Sequence, residues 1–174
     1  MNYYGAKEMA ESWRTVRKNT IQAAEDIPED KYSYRAAPGT MSVSEILAHL
    51  ATTPYWAQQC HFVDQKSMVT REDFGTWMGA AATLSAALGS KSAIVDALKK
   101  DGEQFASQME RMTDAQLGEK ITLPMGVKTR FEMLLGVKEH EMHHRAQLFL
   151  IERLLGIVPH LTRAREAAMA AARA

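Results

Sequence analysis

The sequence predicts an all-α protein, folded as a four-helix bundle with long connections. Apolar residues recur every three to four positions in four long segments, and the alternation typical of strands is scarce. Proline and glycine lie mainly between these segments. The 174 residues, 46% of them apolar, are enough for one compact core. We therefore expect residues 1–174 to form a single domain, with about 160–174 as a C-terminal tail or short helix.

The first two helices have clear boundaries in the sequence. The first is predicted over Tyr3–Ile27 and ends before Pro28. Its apolar stripe consists of Met9, Trp13, Val16, Thr20 and Ala23 or Ala24. The second helix begins at a capping box, in which Ser42 and Glu45 each accept a hydrogen bond from the other's backbone amide. Pro54 predicts a kink or a break in this second helix.

The rest of the chain contains two more long helices and their connections. Residues 65–90 are predicted to be a long connection with some short helix, because three glycines interrupt them: Gly75, Gly79 and Gly89. A third helix is expected at about Ser90–Thr113, followed by a second loop, with a short extended piece as an alternative. The fourth helix is expected at about Thr129–Leu155, and Gly156 ends it.

Charge and cysteine content restrict the functional class. The 21 basic and 21 acidic residues balance, so the chain has no electrostatic footprint for nucleic acid. No apolar stretch approaches the roughly 18–20 residues of a membrane span, and no signal peptide is evident. The single cysteine, Cys60, agrees with a reducing compartment. We therefore expect a cytoplasmic protein that binds neither nucleic acid nor membrane.

Three histidines lie close together in the fourth helix, in the segment KEHEMHHRAQL. On a helical wheel His140 and His144 face the bundle interior, whereas His143 falls at the flank of the apolar stripe. Two imidazoles at i and i+4 can bind one divalent cation, as paired helix histidines do in zinc enzymes. Alternatively each is a core histidine with a hydrogen-bond partner, but two protonated imidazoles on one apolar face would repel. We favour a metal site for His140 and His144, and for His143 either a surface position or a supporting position beside the metal ligands.

The sequence allows alternative roles for other titratable residues. His49, in the second helix, lies at the edge of the apolar stripe, so periodicity leaves its orientation undecided. Glu141 lies near the stripe of the fourth helix, where it could support the metal site or act as a general base. We favour instead an ion pair between Glu141 and Arg145, one turn away. His61 and His160 are expected to be ordinary, partly exposed histidines.

Two stretches of the chain share a pattern with known proteins. They are EDIPEDKYSYRAAPGTMSVSEILAHLATT and EHEMHHRAQLFLIERLLG. Together they resemble the DinB/YfiT-like family of bacterial four-helix-bundle metalloproteins, in order and separation, over most of the chain. The resemblance implies that one histidine of the second helix and two of the fourth bind a divalent metal: His49, His140 and His144. Ala146 stands where the family usually has glycine, and it is small enough to preserve close packing.

The same resemblance implies a function, which we state as a hypothesis. Family members use nickel or zinc, several are homodimers, and some transfer a low-molecular-weight thiol. The leading hypothesis is therefore a thiol S-transferase, in which the metal activates a thiol cosubstrate against an electrophilic small molecule. Metal-dependent hydrolysis is the first alternative, and a non-catalytic, stress-associated metal-binding protein is the second. Cys60 is not required, and a lone cysteine is usually a small buried residue.

Aromatic residues near His49 and in the glycine-containing connection are the candidates for the walls of a substrate pocket. They are Tyr55, Trp56 and Trp77. The chain also has 11 methionines, whose flexible side chains suit an irregular pocket, although core filling is their more common role.

Overall fold

The structure is a computed structural model that describes residues 4–173, and it confirms the predicted four-helix bundle. Tyr3, the predicted start of the first helix, lies outside the described residues. The helices are α1 (Ala6–Asp26), α2 (Val43–Thr52), α3 (Pro54–Gln58), α4 (Arg71–Ala86), α5 (Lys91–Glu110), α6 (Asp114–Gly118), α7 (Arg130–Leu154) and α8 (His160–Ala171). The strands β1 (Lys120–Leu123) and β2 (Gly126–Thr129) form an antiparallel hairpin between α6 and α7.

The bundle consists of α1, α2, α5 and α7. Both α5 and α7 pack against α1 and against α2, which places α1 and α2 at opposite corners. Outside this bundle, α4 packs on α2 and α3. In the part of the chain that the structure describes, no helix is long and apolar enough to cross a membrane.

The boundaries of the first two helices follow the sequence signals. The predicted stripe of α1 is buried, and Trp13 is only 1% exposed. At the start of α2 the Glu45 amide donates to Ser42 Oγ at 3.2 Å, and the Ser42 amide donates to Glu45 Oε2 at 2.8 Å. The helix breaks at Pro54, which opens α3, and a π-helical turn over Gln59–Val63 follows.

Two connections contain more regular structure than the sequence predicts. The prediction of short helix within residues 65–90 was wrong, because α4 is one continuous helix of 16 residues. A capping box between Thr70 and Asp73 starts it, and Gly75 and Gly79 are tolerated on its exposed side. The second loop folds into α6 and the hairpin, and the Thr129 hydroxyl accepts the Glu132 amide hydrogen to start α7.

The bundle core is divided into two apolar clusters along its length. One contains the C-terminal half of α1 and the C-terminal part of α7, with large buried residues that include Ile27, Leu47, Leu50, Ile94, Leu98 and Leu148. The other contains the N-terminal parts of α1 and α7, with Met9, Trp13, Phe105, Met109 and Leu134. Polar side chains lie between the two clusters, at the level of the predicted metal site.

A buried ion pair forms the centre of this polar layer. Arg17 of α1 and Glu141 of α7 are 3% and 2% exposed, and Arg17 Nη2 lies 2.7 Å from Glu141 Oε2. The same nitrogen donates to the Leu50 carbonyl of α2 at 3.0 Å, and the Thr20 hydroxyl donates to Glu141 Oε1 at 2.8 Å. The favoured pairing of Glu141 with Arg145 was therefore wrong. The carboxylate points into the bundle, where the guanidinium of another helix is its partner.

Burial opposes the charged forms of both Arg17 and Glu141. It raises the pKa of Glu141 and lowers the pKa of Arg17, and the attraction between the two groups offsets part of each shift. Among the described residues, Nε and Nη1 of Arg17 have no hydrogen-bond partner, although the guanidinium lies over the Trp13 ring at 4.8 Å. Each charge consequently depends on the other to remain in the core.

A glycine of α5 makes room for the buried arginine. A Cβ at Gly102 would lie 2.8 Å from Arg17 Cγ, closer than a van der Waals contact permits. The Gly102 carbonyl also accepts a hydrogen bond from Trp13 Nε1 at 2.9 Å, which holds α1 close to α5. The absence of a side chain at Gly102 is thus part of the packing of the polar layer.

The C-terminal helix α8 is attached by polar contacts and contributes no buried side chain among its described residues. Arg163 Nη2 lies 2.6 Å from Asp26 Oδ2 of α1, and Arg153 of α7 donates to the Thr162 hydroxyl at 3.0 Å. Nearby, Glu152 is fully buried, and burial together with the charge of Asp26 raises the pKa of Glu152 to about 7.

The close approach at Gly102 predicts opposite effects for two glycine substitutions. Gly102→Ala is expected to lower the free energy of unfolding by about 1–2 kcal/mol, because overpacking against the fixed Arg17 outweighs a gain in helix propensity of up to about 1 kcal/mol. Gly79→Ala, where an added Cβ meets nothing within 4 Å, should raise it by about 0.5–1 kcal/mol. Urea unfolding measures both, and a Gly102→Ala protein as stable as wild type would contradict the packing described.

The buried ion pair predicts a second stability difference. Arg17→Met leaves the Glu141 carboxylate buried without a cation and should cost about 3–5 kcal/mol of unfolding free energy. Arg14→Met, one turn earlier, removes only exposed pairs with Glu103 and Glu110 and should cost about 1 kcal/mol or less. The double variant Arg17→Met/Glu141→Leu should regain most of the loss in urea unfolding. Equal costs for the Arg17 and Arg14 variants would contradict the assignment.

Candidate metal centre

The structure brings together three of the histidines from the sequence prediction. His49 lies on α2, and His140 and His144 lie one turn apart on α7. Three ring nitrogens, one from each histidine, all lie within 4.8 Å of one another. The distance between His49 Nε2 and His140 Nε2 is 2.7 Å. The ring centroids are 5.0 Å apart for both pairs that include His49, and 4.6 Å apart for His140 and His144.

This arrangement fits a divalent cation. Nitrogens bound at 2.0–2.1 Å in a tetrahedral site lie about 3.3 Å apart, which is longer than the 2.7 Å between His49 Nε2 and His140 Nε2 and shorter than the 4.8 Å limit that contains all three nitrogens. The ring planes are inclined to one another by 74°, 77° and 78°, so three rings can approach one point without stacking. In the described part of the chain no Cys, Asp or Glu joins this group, and a three-histidine site leaves a coordination position open.

Neighbouring side chains fix the orientation of two of these rings. His144 Nδ1 lies 2.8 Å from Gln147 Oε1, so it donates a hydrogen bond and leaves Nε2 with a free lone pair. The Gln147 amide in turn donates to Nε2 of the exposed His143 at 3.2 Å. The Thr53 hydroxyl lies 3.3 Å from His49 Nε2 and donates to the His49 carbonyl at 2.7 Å. Gln147 was not among the predicted site residues, although its i+3 spacing from His144 was visible in the sequence.

The local electrostatics keep the three imidazoles neutral. Burial, followed by the neighbouring histidines, lowers the pKa of His140 to about 4. Burial also lowers the pKa of His49 and His144, and for His144 the hydrogen bond with Gln147 opposes the shift. Neutral imidazoles have the lone pairs that metal binding requires, so no proton has to be removed at neutral pH.

A cavity of about 410 Å³ gives access to the centre. It lies between α2 and α4 and includes His49 and Thr53 in its wall. The α4 side consists mainly of small residues and one methionine: Met78, Ala81, Ala82, Ser85 and Ala86. Helix α4, which was predicted to be part of a long connection, therefore forms one wall of the approach to His49.

The predicted aromatic residues lie in a separate apolar cluster. Trp77 is buried there with Cys60 and Val69, and Tyr55 and Trp56 pack against the same cluster. Cys60 is fully buried, as expected for a lone cysteine, and burial raises the pKa of its thiol to about 11. Its thiol is therefore protonated at neutral pH, whereas the reactive form of a cysteine is the thiolate.

His61 and His160, which lie outside the group of three, differ in solvent exposure. The prediction for His61 was wrong, because it is 4% exposed and packs near Arg130, whose Nη1 lies 3.2 Å from His61 Nδ1. Burial and that positive charge lower the pKa of His61 to about 3. His160 is half-buried, as expected, and its Nε2 lies 3.1 Å from Asn19 Oδ1.

Comparisons with known proteins agree with this fold. YjoA of Bacillus subtilis (strain 168) is 28% identical over 144 residues, which is 80% of this chain and 84% of YjoA. The crystal structure of YjoA, a DinB-like protein, superposes with a TM-score of 0.66 at 23% identity, covering 86% of this chain and 92% of YjoA. A DinB-like protein of Bacillus cereus ATCC 10987 gives a TM-score of 0.66 at 18% identity, covering 87% and 93%.

A third solved structure carries a functional description. YfiT of Bacillus subtilis, described as a probable metal-dependent hydrolase with an unusual four-helix bundle topology, gives a TM-score of 0.67 at 15% identity. The match covers 90% of this chain and 91% of YfiT. A sequence profile of the DinB superfamily matches residues 12–148, a range that contains all three histidines of the centre. The chain belongs to the DinB superfamily.

Proposed function

We propose that this protein is a divalent-metal-dependent hydrolase of a small molecule, and that His49, His140 and His144 bind the metal. The observation that carries the proposal is the convergence of three neutral imidazoles from two helices, with no fourth protein ligand in the described chain. Three-ligand sites with an open position are typical of catalytic centres, whereas structural sites are closed by a fourth ligand.

The chain supplies binding and orientation. A divalent cation bound by His49, His140 and His144 would supply Lewis-acid chemistry, by lowering the pKa of a small nucleophile such as water or a thiol. Gln147 keeps the His144 ring in the tautomer that presents Nε2, and Thr53 contacts His49 from the following turn. Nickel or zinc suits an all-imidazole donor set.

Hydrolysis is preferred because YfiT, which shares this fold, is described as a probable metal-dependent hydrolase. The thiol S-transferase hypothesis rests on family resemblance alone and is kept as the competing outcome of the activity test. A low-molecular-weight thiol would have to come from solution, because Cys60 is buried and protonated. The homodimer and the cytoplasmic location stay predictions.

Metal content provides the first test. Protein purified without a polyhistidine tag should contain about one nickel or zinc ion per chain, measured by inductively coupled plasma mass spectrometry. His49→Ala, His140→Ala and His144→Ala should each lose most of it, because two imidazoles bind a cation far less tightly than three. Gln147→Leu should weaken binding by about 10–100-fold, as expected when the group that orients a ligand is removed.

His143→Ala is the matched control for the metal test. His143 lies on the same helix, next to His144, and its exposed ring lies outside the group of three. The variant should retain its full metal content. Full retention by His144→Ala, or equal losses by the His143 and His144 variants, would disprove the assignment.

Activity provides the second test. Metal-loaded protein should accelerate the hydrolysis of at least one member of a panel of p-nitrophenyl esters and amides. The rate should fall to background after treatment with a chelator and in His140→Ala, and it should return in wild type when zinc or nickel is restored. The reason is that the nucleophile is activated only when the cation is held by the three imidazoles.

The same preparations distinguish the competing transferase. They are incubated with monochlorobimane and a panel of low-molecular-weight thiols. Metal-dependent conjugation without hydrolysis would replace the hydrolase proposal with thiol transfer. Absence of both activities in fully metal-loaded protein would contradict both and favour the non-catalytic alternative.

A further inference from the structure

A second and larger cavity lies away from His49, between α4, the hairpin and α7. Its volume is about 640 Å³, within the range of about 300–1,000 Å³ typical of small-molecule sites. The wall is mainly apolar and includes Trp56, Val69, Phe74, Leu123 and Met133. An apolar cavity of this size, open to solvent, is suited to an apolar ligand. Binding is favourable because the apolar surface of the ligand is removed from water.

The charged groups around this cavity are predominantly basic. Arg71 and Lys128 lie in its wall, both are exposed, and neither forms an ion pair in the described part of the chain. The acidic group in the wall is Glu132, whose Oε2 accepts hydrogen bonds from the Thr129 amide and hydroxyl at 2.6 and 2.8 Å. The backbone and side-chain hydrogen bonds of Thr129, and to a lesser extent the charge of Lys128, lower the pKa of Glu132; its carboxylate is directed to the start of α7, while Arg71 and Lys128 both remain exposed.

Two glycines leave the interior of the cavity free. Gly75 of α4 and Gly136 of α7 both lie in its wall, and an added Cβ at either position would meet nothing within 4 Å. Glycine within a helix costs about 1 kcal/mol relative to alanine. At both positions an added side chain would have open space around its Cβ.

We propose that this cavity binds an apolar organic anion, such as a medium-chain or aromatic carboxylate. Its apolar part lies against Trp56 and Met133, and its carboxylate lies between Arg71 and Lys128. The guanidinium and ammonium groups bind the anion through charge-assisted hydrogen bonds. This binding requires no metal, so it can be tested separately from the proposed hydrolase activity.

The cavity also has a defined relation to the histidines. Met133 and Gly136 lie seven and four residues before His140, on the same face of α7. A ligand lying along this wall therefore approaches the turn that carries His140. This relation makes the anion a candidate substrate, a role that in turn rests on the proposed function, whereas the binding itself does not.

Displacement of a fluorescent probe tests the proposal. The probe is 1-anilinonaphthalene-8-sulfonate, which combines aromatic rings with an anionic group, and the competitors are decanoate and decanol at neutral pH. Wild-type protein should bind the probe, and decanoate should displace it at a concentration about tenfold lower than decanol does. Equal displacement by decanol and decanoate would overturn the anionic specificity.

Gly75→Leu tests the position of the site. Leucine has a higher helix propensity than glycine, so α4 should persist while the side chain fills the cavity. Probe binding should weaken at least tenfold. Gly79→Leu is the matched control, because Gly79 lies one turn away, also meets nothing within 4 Å and does not line the cavity. Unchanged probe and decanoate binding in Gly75→Leu would overturn the proposal.

The double variant Arg71→Gln/Lys128→Gln tests the charges without altering the interior. It should weaken decanoate binding by about tenfold and leave decanol binding unchanged. Lys120→Gln, an exposed lysine of β1 outside the cavity wall, should change neither. Because these side chains are exposed, all three substitutions should leave the fold intact, and wild-type decanoate affinity in the double variant would overturn the proposed anion contacts.

Discussion

The contact on which the geometry of the candidate metal centre depends is the buried interaction of Arg17. Its Nη2 atom contacts the Leu50 carbonyl and the Glu141 carboxylate, which belong to the residues that directly follow His49 and His140. One guanidinium thus joins the two helices that carry the three histidines, at the level of the histidines themselves. A shift of α7 by one turn would take Glu141 out of reach of this guanidinium and leave both charges unpaired. The ion pair therefore selects one register of α7 relative to α1 and α2.

Apolar packing alone would not select that register as sharply. The two core clusters above and below the polar layer contain mainly aliphatic residues, and such cores tolerate substitutions of similar volume. The layer between them is specific because each group has a particular partner. Trp13 binds the Gly102 carbonyl and lies against Arg17, and Arg17 occupies the space that a side chain at Gly102 would take. Stability comes from the clusters, and the layer determines where the histidines meet.

The features that the sequence predicted are those governed by local periodicity or local hydrogen bonds. The stripe of α1, the Ser42 capping box and the inward direction of His140 and His144 belong to this class. The orientation of His49 required the family resemblance, since its place at the stripe edge was ambiguous. The pairing of Arg17 with Glu141 could not be predicted, because a helical wheel shows which way a residue faces but not which residue of another helix it meets. Helix α4 was missed because its glycines obscured a capping box that was present.

The position of Cys60 restricts the source of any thiol that reacts at the three histidines. Its thiol is buried and protonated, so any thiol that reacts at the centre enters from solution, as water does. Hydrolysis and thiol transfer therefore need the same neutral imidazoles and compete for the same open position. What distinguishes hydrolysis from thiol transfer is the affinity of the protein for the molecule that reacts with water or with the thiol. The side chains that line the cavity beside His49 are small and mostly apolar. The larger cavity is lined by two cationic side chains, Arg71 and Lys128. In the proposed function, α4 and the hairpin, which lie outside the bundle, would select the reactants, while the bundle holds the histidines in place.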